Sequence, residues 1–107
     1  MSLTPEGKVK TWLDKQLKKR YPNIWFYKAP GGRFGKAGTP DVLCCIDGHF
    51  VAIEVKAIGG TVTLKQSIEQ DLIRKAGGMA VTIYGKAEEV FETIDQFIHH
   101  KNQDDNT

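Results

Sequence analysis

Apolar positions recur at helical spacing over three stretches of this chain and gather into four short strand-like runs between them. Residues 4–20 place Val9, Leu13 and Leu17 in one line with Trp12 beside it, which predicts a helix. Thr4 suits its N-cap, Pro5 its first helical position, and Tyr21-Pro22 its end. Residues 23–29, rich in aromatic and β-branched types, predict a first strand. Two further strands, about 41–47 and 49–57, are joined at Asp47-Gly48, a strong local signal for a two-residue hairpin turn. That turn sets Ile46 opposite His49, Cys45 opposite Phe50, Val42 opposite Ile53 and Asp41 opposite Glu54. Both faces of the hairpin are apolar in the middle, which predicts a sheet covered on both sides. Thr63 opens a second helix, with Leu64, Ile68 and Leu72 on one stripe and Gly77-Gly78 as its stop. Residues 79–84 predict a fourth strand, parallel to the third through a right-handed crossover. A last helix spans 86–100, with Val90, Phe91, Ile94, Phe97 and Ile98 as its stripe. The expected organisation is one domain over 1–100 and a disordered polar tail over 101–107.

The chemistry gathers at the open end of the hairpin. Side chains alternate along a strand, so Glu54 and Lys56 share a face, and Asp41 joins them from across the ladder. Like charges on cross-strand partners repel, so the pair of carboxylates costs stability unless something binds there. A hard divalent cation is the simple candidate. A surface salt bridge between Glu54 and Lys56 is the plainer alternative, but it gives Asp41 no reason to lie where it does. Glu6 falls in line with the buried stripe of the first helix. It is either a dipole-favoured N-terminal residue or a member of the site. Gln66 lies three residues after Thr63 and so fits a capping box. The glycine-rich loop over 30–40 has neither the Walker A spacing nor the dinucleotide fingerprint. Its reading is a collar that brings Arg33 and Lys36 to phosphates near Asp41.

Charge changes this picture more than length does. The 107 residues carry a net charge of only +2. Residues 1–36 nevertheless hold nine Lys/Arg, Lys8 among them, against Glu6 and Asp14 alone. A basic N-terminal third suits a polyanion partner, or is a solvated helix face. Cys44 and Cys45 are adjacent in a strand and point to opposite faces, so neither a disulfide nor zinc is expected. His99 and His100 are neighbours on a helix and do not share a face. With no secretory signal or transmembrane run, an intracellular, cytoplasmic location and no membrane partner are expected.

The ordered set Thr4-Pro5-Glu6-Gly7, Gly31-Gly32-Arg33, Gly38-Thr39-Pro40-Asp41, Ile53-Glu54-Val55-Lys56, Thr63-x-x-Gln66 and Gly77-Gly78 resembles the small stand-alone VRR-NUC nucleases of the PD-(D/E)XK superfamily, many of them phage-encoded. The resemblance runs from Thr4 to about Tyr84. It implies an α/β, restriction-endonuclease-like αβββαβ core: a mixed four-stranded sheet flanked by helices, here with an extra C-terminal helix. It implies a metal-dependent endodeoxyribonuclease, acting as a homodimer on branched DNA such as four-way junctions, within a bacterial host cell if phage-encoded. Asp41, Glu54 and the Val55 carbonyl would hold Mg²⁺, or Mn²⁺ in its place. Lys56, Glu6 and Gln66 would complete the catalytic set, and Arg33, Lys36 and Lys8 would meet DNA. The alternatives are a non-catalytic DNA-binding module, which needs the basic residues but not the carboxylates, and a protein–protein adaptor using the last helix.

Overall fold

The first helix, α1 (Pro5–Arg20), starts where the sequence places it. The Thr4 hydroxyl accepts the Gly7 N–H at 3.0 Å, and Glu6 lies in the first turn with Lys18, Lys19 and Arg20 in the last. These charges complement the helix dipole. Val9, Leu13 and Leu17 form its buried stripe. The chain turns at Tyr21, whose carbonyl accepts the Ile24 N–H, so β1 begins two residues later than expected, at Trp25–Lys28. The computed structural model describes residues 4–30 and 35–105.

The hairpin has the expected register. β2 (Val42–Ile46) and β3 (His49–Lys56) pair antiparallel, with Val42 against Ile53 and Ile46 against His49. Asp47 and Gly48 both take positive φ, 50° and 83°, as a two-residue turn matched to strand twist requires. β1 pairs antiparallel with β2 on its other side. β3 connects through α2 (Leu64–Lys75) to β4 (Met79–Tyr84), which lies parallel to β3. The sheet order is β1-β2-β3-β4. The fold is therefore an α/β restriction-endonuclease-like arrangement with a mixed sheet. α3 (Glu89–Asp105) starts after a turn through Gly85 and Ala87, and it runs five residues past its expected end at 100. The polar residues there contain no breaker, and Asn102 Oδ1 lies 2.9 Å from His49 Nε2 at the hairpin end.

One face of the sheet is a continuous core. Val42, Cys44, Ile46, Val51, Ile53 and Val55 pack under the stripes of α1 and α3, where Phe91 and Ile94 are among the most buried. Cys44 is buried on this face and Cys45 is exposed on the other, both as free thiols. The opposite face corrects the expectation of a sheet covered on both sides. α2 packs on β4, and its stripe faces outward: Leu64 is 76 % exposed, Ile68 49 % and Leu72 52 %. Trp25, Tyr27 and Phe50 stay exposed beside it. α2 is anchored through polar groups instead: Gln70 donates to Thr82 Oγ1 at 2.8 Å, and Arg74 donates to the Ala80 carbonyl.

Candidate active site

Asp41 immediately precedes β2, beside the end of β3. Its Oδ2 accepts the Val55 N–H at 2.8 Å, and its own carbonyl accepts the Ala29 N–H. Glu54 is only 2 % exposed, and its Oε2 is buried with no hydrogen-bond partner. Its carboxyl shares a hydrogen bond with Asp41. Burial raises the Glu54 pKa most. The hydrogen bond and charge of Asp41 and the more distant Glu6 add to this, against the pull of Lys56, and the result is about 8. Burial also opposes charge on Asp41. The hydrogen bonds from Glu54 and the Val55 N–H, with the charge and hydrogen bond of Lys10, outweigh it and hold Asp41 below the usual carboxylate range. The two carboxylates are thus pushed in opposite directions, Glu54 towards its protonated form and Asp41 towards its charged one.

Lys10 is the residue that sequence reasoning missed. Its Nζ lies 3.2 Å from Asp41 Oδ1 and 3.9 Å from Glu6 Oε2, an ammonium set between two carboxylates. The signal was available: Lys10 is one helical turn beyond Glu6, the spacing of an (i, i+4) ion pair. One turn further again, Asp14 is buried against Lys28 of β1, with its Oδ1 unpartnered. Glu6, Lys10 and Asp14 form a charged line along α1 that the apolar pattern did not show.

Lys56 ends β3, half-buried, two residues beyond Glu54. The turn after it folds back so closely that a Cβ on Gly60 would meet Lys56 Cβ at 3.3 Å. Gln66 forms the capping box: its Oε1 accepts the Thr63 N–H at 2.9 Å and its own N–H donates to Thr63 Oγ1. The loop before Asp41 rests on this first turn of α2, for a Cβ on Gly38 would lie 2.5 Å from the Lys65 carbonyl oxygen. Gln70, one turn beyond Gln66, is the buried glutamine. It holds Thr82, the β4 partner of Glu54, while Arg74 donates to its Oε1. Lys36 pairs with Glu69 at 2.6 Å, tying the glycine-rich loop to α2. Lys8 is exposed on α1, and Arg33 lies outside the described residues.

The donor set suits a hard cation held by few protein ligands. Among the described residues no three His, Cys, Asp or Glu side chains converge as a metal cage. Two adjacent carboxylates, one with a buried partnerless oxygen, are what a cation with several retained waters would use.

Over 92 % of both chains, this protein is similar to a solved VRR_NUC domain protein, with 25 % identity and a TM-score of 0.67. A second VRR_NUC domain structure gives 26 % identity and 0.58, covering 92 % of this chain and 98 % of that one. Hjc from Archaeoglobus fulgidus, a Holliday junction resolvase from an archaeal hyperthermophile, shares the fold at 17 % identity and a TM-score of 0.56. That match covers 73 % of this chain and 66 % of its own. No family model and no curated protein matches the chain.

Proposed function

This chain is a VRR-NUC domain of the restriction-endonuclease-like class, and from that premise we propose that it is a metal-dependent endonuclease hydrolysing DNA phosphodiester bonds. One observation carries the reading: Glu54 is buried with a partnerless oxygen beside Asp41, an arrangement that costs stability unless a cation is taken up. Asp41, Glu54 and the Val55 carbonyl would hold Mg²⁺ or Mn²⁺. When bound, the ion would polarise the scissile phosphate and lower the pKa of a coordinated water. Lys56 stands on the face of β3 that carries Glu54, where its ammonium can hold the attacking water and offset charge developing on the phosphate. Glu6 reaches this position through Lys10, and Gln66, whose side chain caps α2, is assigned to it by resemblance. Lys8, Arg33 and Lys36 are assigned to DNA phosphates. The supporting test is cleavage of labelled four-way junction, flap, duplex and single-stranded DNA with Mg²⁺, Mn²⁺ or EDTA. Cleavage by the wild type that needs metal and is lost in Lys56→Ala supports the reading. Binding without cleavage under either metal would leave a DNA-binding module instead.

Lys10 makes the site's own cation. Lys10→Met is expected to tighten Mg²⁺ binding roughly severalfold, because a competing positive charge beside Asp41 is gone. The metal-free variant should lose about 0.5–1 kcal/mol at pH 7, little because the pair is partly exposed. Calorimetric titration checks the first and denaturant melts the second; weaker Mg²⁺ binding would contradict this account of Lys10.

The uncovered half of the sheet is assigned to a second copy of the chain. Trp25 and Tyr27 stack at 6.5 Å on a face they share with Phe50, and α2 lies on the same side of the sheet with its stripe exposed. The double variant Trp25→Ser/Tyr27→Ser is expected to sediment as a monomer at concentrations where the wild type sediments as a dimer. A monomeric wild type at tens of micromolar would remove the assignment. A dimer places two sites on one substrate, which suits a branched junction, the substrate class of the resolvase Hjc. Among the described residues no helix is long and apolar enough to cross a membrane, and the proposed location is the cytoplasm.

A further inference from the structure

Two adjoining hollows run along α1 on the side of the strand ends. The first, about 430 Å³, has an apolar floor of Pro5, Val9, Ala57 and Ile58, with Lys8 and Lys86 on its rim. The second, about 300 Å³, continues past the same two lysines to Thr11, Trp12 and Lys15. No acidic side chain lines either hollow. Among the described residues, Lys8, Lys15 and Lys86 form no ion pair, whereas Lys10, Lys28 and Lys36 do. The groove starts next to the site: Pro5 precedes Glu6, and Ala57 follows Lys56.

Ile58 is the least expected feature of the groove. It is 86 % exposed, at the corner of a turn closed by the Gly60 N–H on the Ala57 carbonyl. Gly59 takes φ 91° within that turn. Its side chain lies so near Gly85 that an added Cβ there would meet Ile58 Cγ1 at 3.1 Å. An isolated exposed isoleucine needs no explanation. An exposed isoleucine held at the mouth of an apolar hollow between two unpaired lysines suits one chemistry better than others.

We propose that this groove seats a single-stranded nucleic-acid segment flanking the scissile phosphate, with a base against Ile58 and phosphates on Lys8, Lys86 and Lys15. A duplex keeps its base faces stacked and offers the groove phosphates alone. An unpaired strand offers an apolar base face and a phosphate at each step, which is the alternation of apolar floor and lysine rim found here. The inference rests on DNA as the substrate and adds that, among branched forms, the chain prefers one in which a strand at the branch is unpaired.

Metal-free binding tests it apart from cleavage. In EDTA, the anisotropy of labelled single-stranded 12-mers and of the matching duplex is read against wild type, Ile58→Ser, Lys15→Ala/Lys86→Ala, and Lys75→Ala on α2 as a control. The wild type is expected to bind the single strand more tightly than the duplex. Ile58→Ser should weaken single-strand binding about fivefold and leave duplex binding unchanged. The double lysine variant should flatten the slope of log affinity against log salt by about 1.4, since each lost single-strand phosphate contact removes about 0.7. Lys75→Ala should match the wild type, and unchanged melting temperatures will show that the variants fold. Groove variants that bind like wild type, or Ile58→Ser weakening duplex equally, overturn the inference even if the protein cleaves DNA. Groove-dependent binding without cleavage under either metal keeps the groove as a single-strand site and removes the nuclease reading, the scissile phosphate with it.

Discussion

Glu54→Gln is expected to lower metal-dependent cleavage by about 10²–10³-fold or more while making the metal-free protein more stable at alkaline pH. The two effects have one cause. In the folded protein Glu54 titrates near 8, above its ordinary value near 4.5, chiefly because it is buried and then because Asp41 lies beside it. The native state therefore binds more protons than the unfolded state between those values. Stability of the metal-free wild type must fall as pH rises from about 4.5 to 8 and level off above it. Asp41 works in the other direction and lower down. Its depressed pKa contributes stability that is present above its ordinary value near 3.8 and lost as pH falls below it. An amide at position 54 has no proton to lose, so the decline between 4.5 and 8 should vanish. The variant should equal the wild type near pH 5 and exceed it by about 2–4 kcal/mol at pH 9. Added Mg²⁺ at about 100 times its Kd should stabilise the wild type by about 2.7 kcal/mol and the variant hardly at all. Urea melts at pH 5, 7 and 9, with and without Mg²⁺, check every part. A Glu54→Gln protein less stable than wild type at pH 9 would show that Glu54 is not the strained group.

The second large effect is structural and is expected from Gly38→Ala. Gly38 has φ 84°, and its missing Cβ would lie 2.5 Å from the Lys65 oxygen and 2.7 Å from the Lys65 carbon. Both are helix backbone in the first turn of α2, so neither can step aside as a side chain could. Strain at positive φ and the clash together should cost about 2–4 kcal/mol. For a chain of this size that lowers the melting temperature by about 10–20 °C. Gly48→Ala is the comparison, with nearly the same φ, 83°, but open space around it. It should cost about 1 kcal/mol, from backbone strain alone. Cleavage should suffer far more in Gly38→Ala, because relieving the clash moves the loop that delivers Asp41, three residues on. Equal melting temperatures for the two variants would mean that the loop does not rest on α2 as described.

Both predictions join parts of the chain that local reading treats separately, and that marks where legibility ended. The hairpin turn, its register, the Thr4 cap and the Thr63–Gln66 capping box were all readable, because each is settled within a few residues. A dipeptide that accepts positive φ, a hydroxyl three residues before an N–H and a period of 3.6 act over one turn or one strand pair. The opposition of Asp41 and Glu54 followed from counting outward along that register. Assigning a cation site to them took resemblance to a family as well. The limits of β1 and α3 slipped by several residues, since Tyr21 and Gly85 set them through turns with no strong dipeptide signal.

Everything that depends on one element's position over another was left to the tertiary structure. Lys10 meets Asp41 only because α1 crosses the end of the hairpin. Gln70 reaches Thr82 only because α2 lies over β4. The stripe of Leu64, Ile68 and Leu72 is the sharpest case. Its periodicity reads the same whether it faces a sheet or water, for an apolar line shows that a helix has a sticky face but not what covers it. That answer came from which face of α2 meets β4, the one carrying Gln70 and Arg74. The hairpin and the capped helices were determined by the sequence itself, through short-range sterics and hydrogen bonding. The ammonium between the carboxylates, the polar anchor of α2 and the open half of the sheet were decided by how one element packs on another, which local pattern does not name.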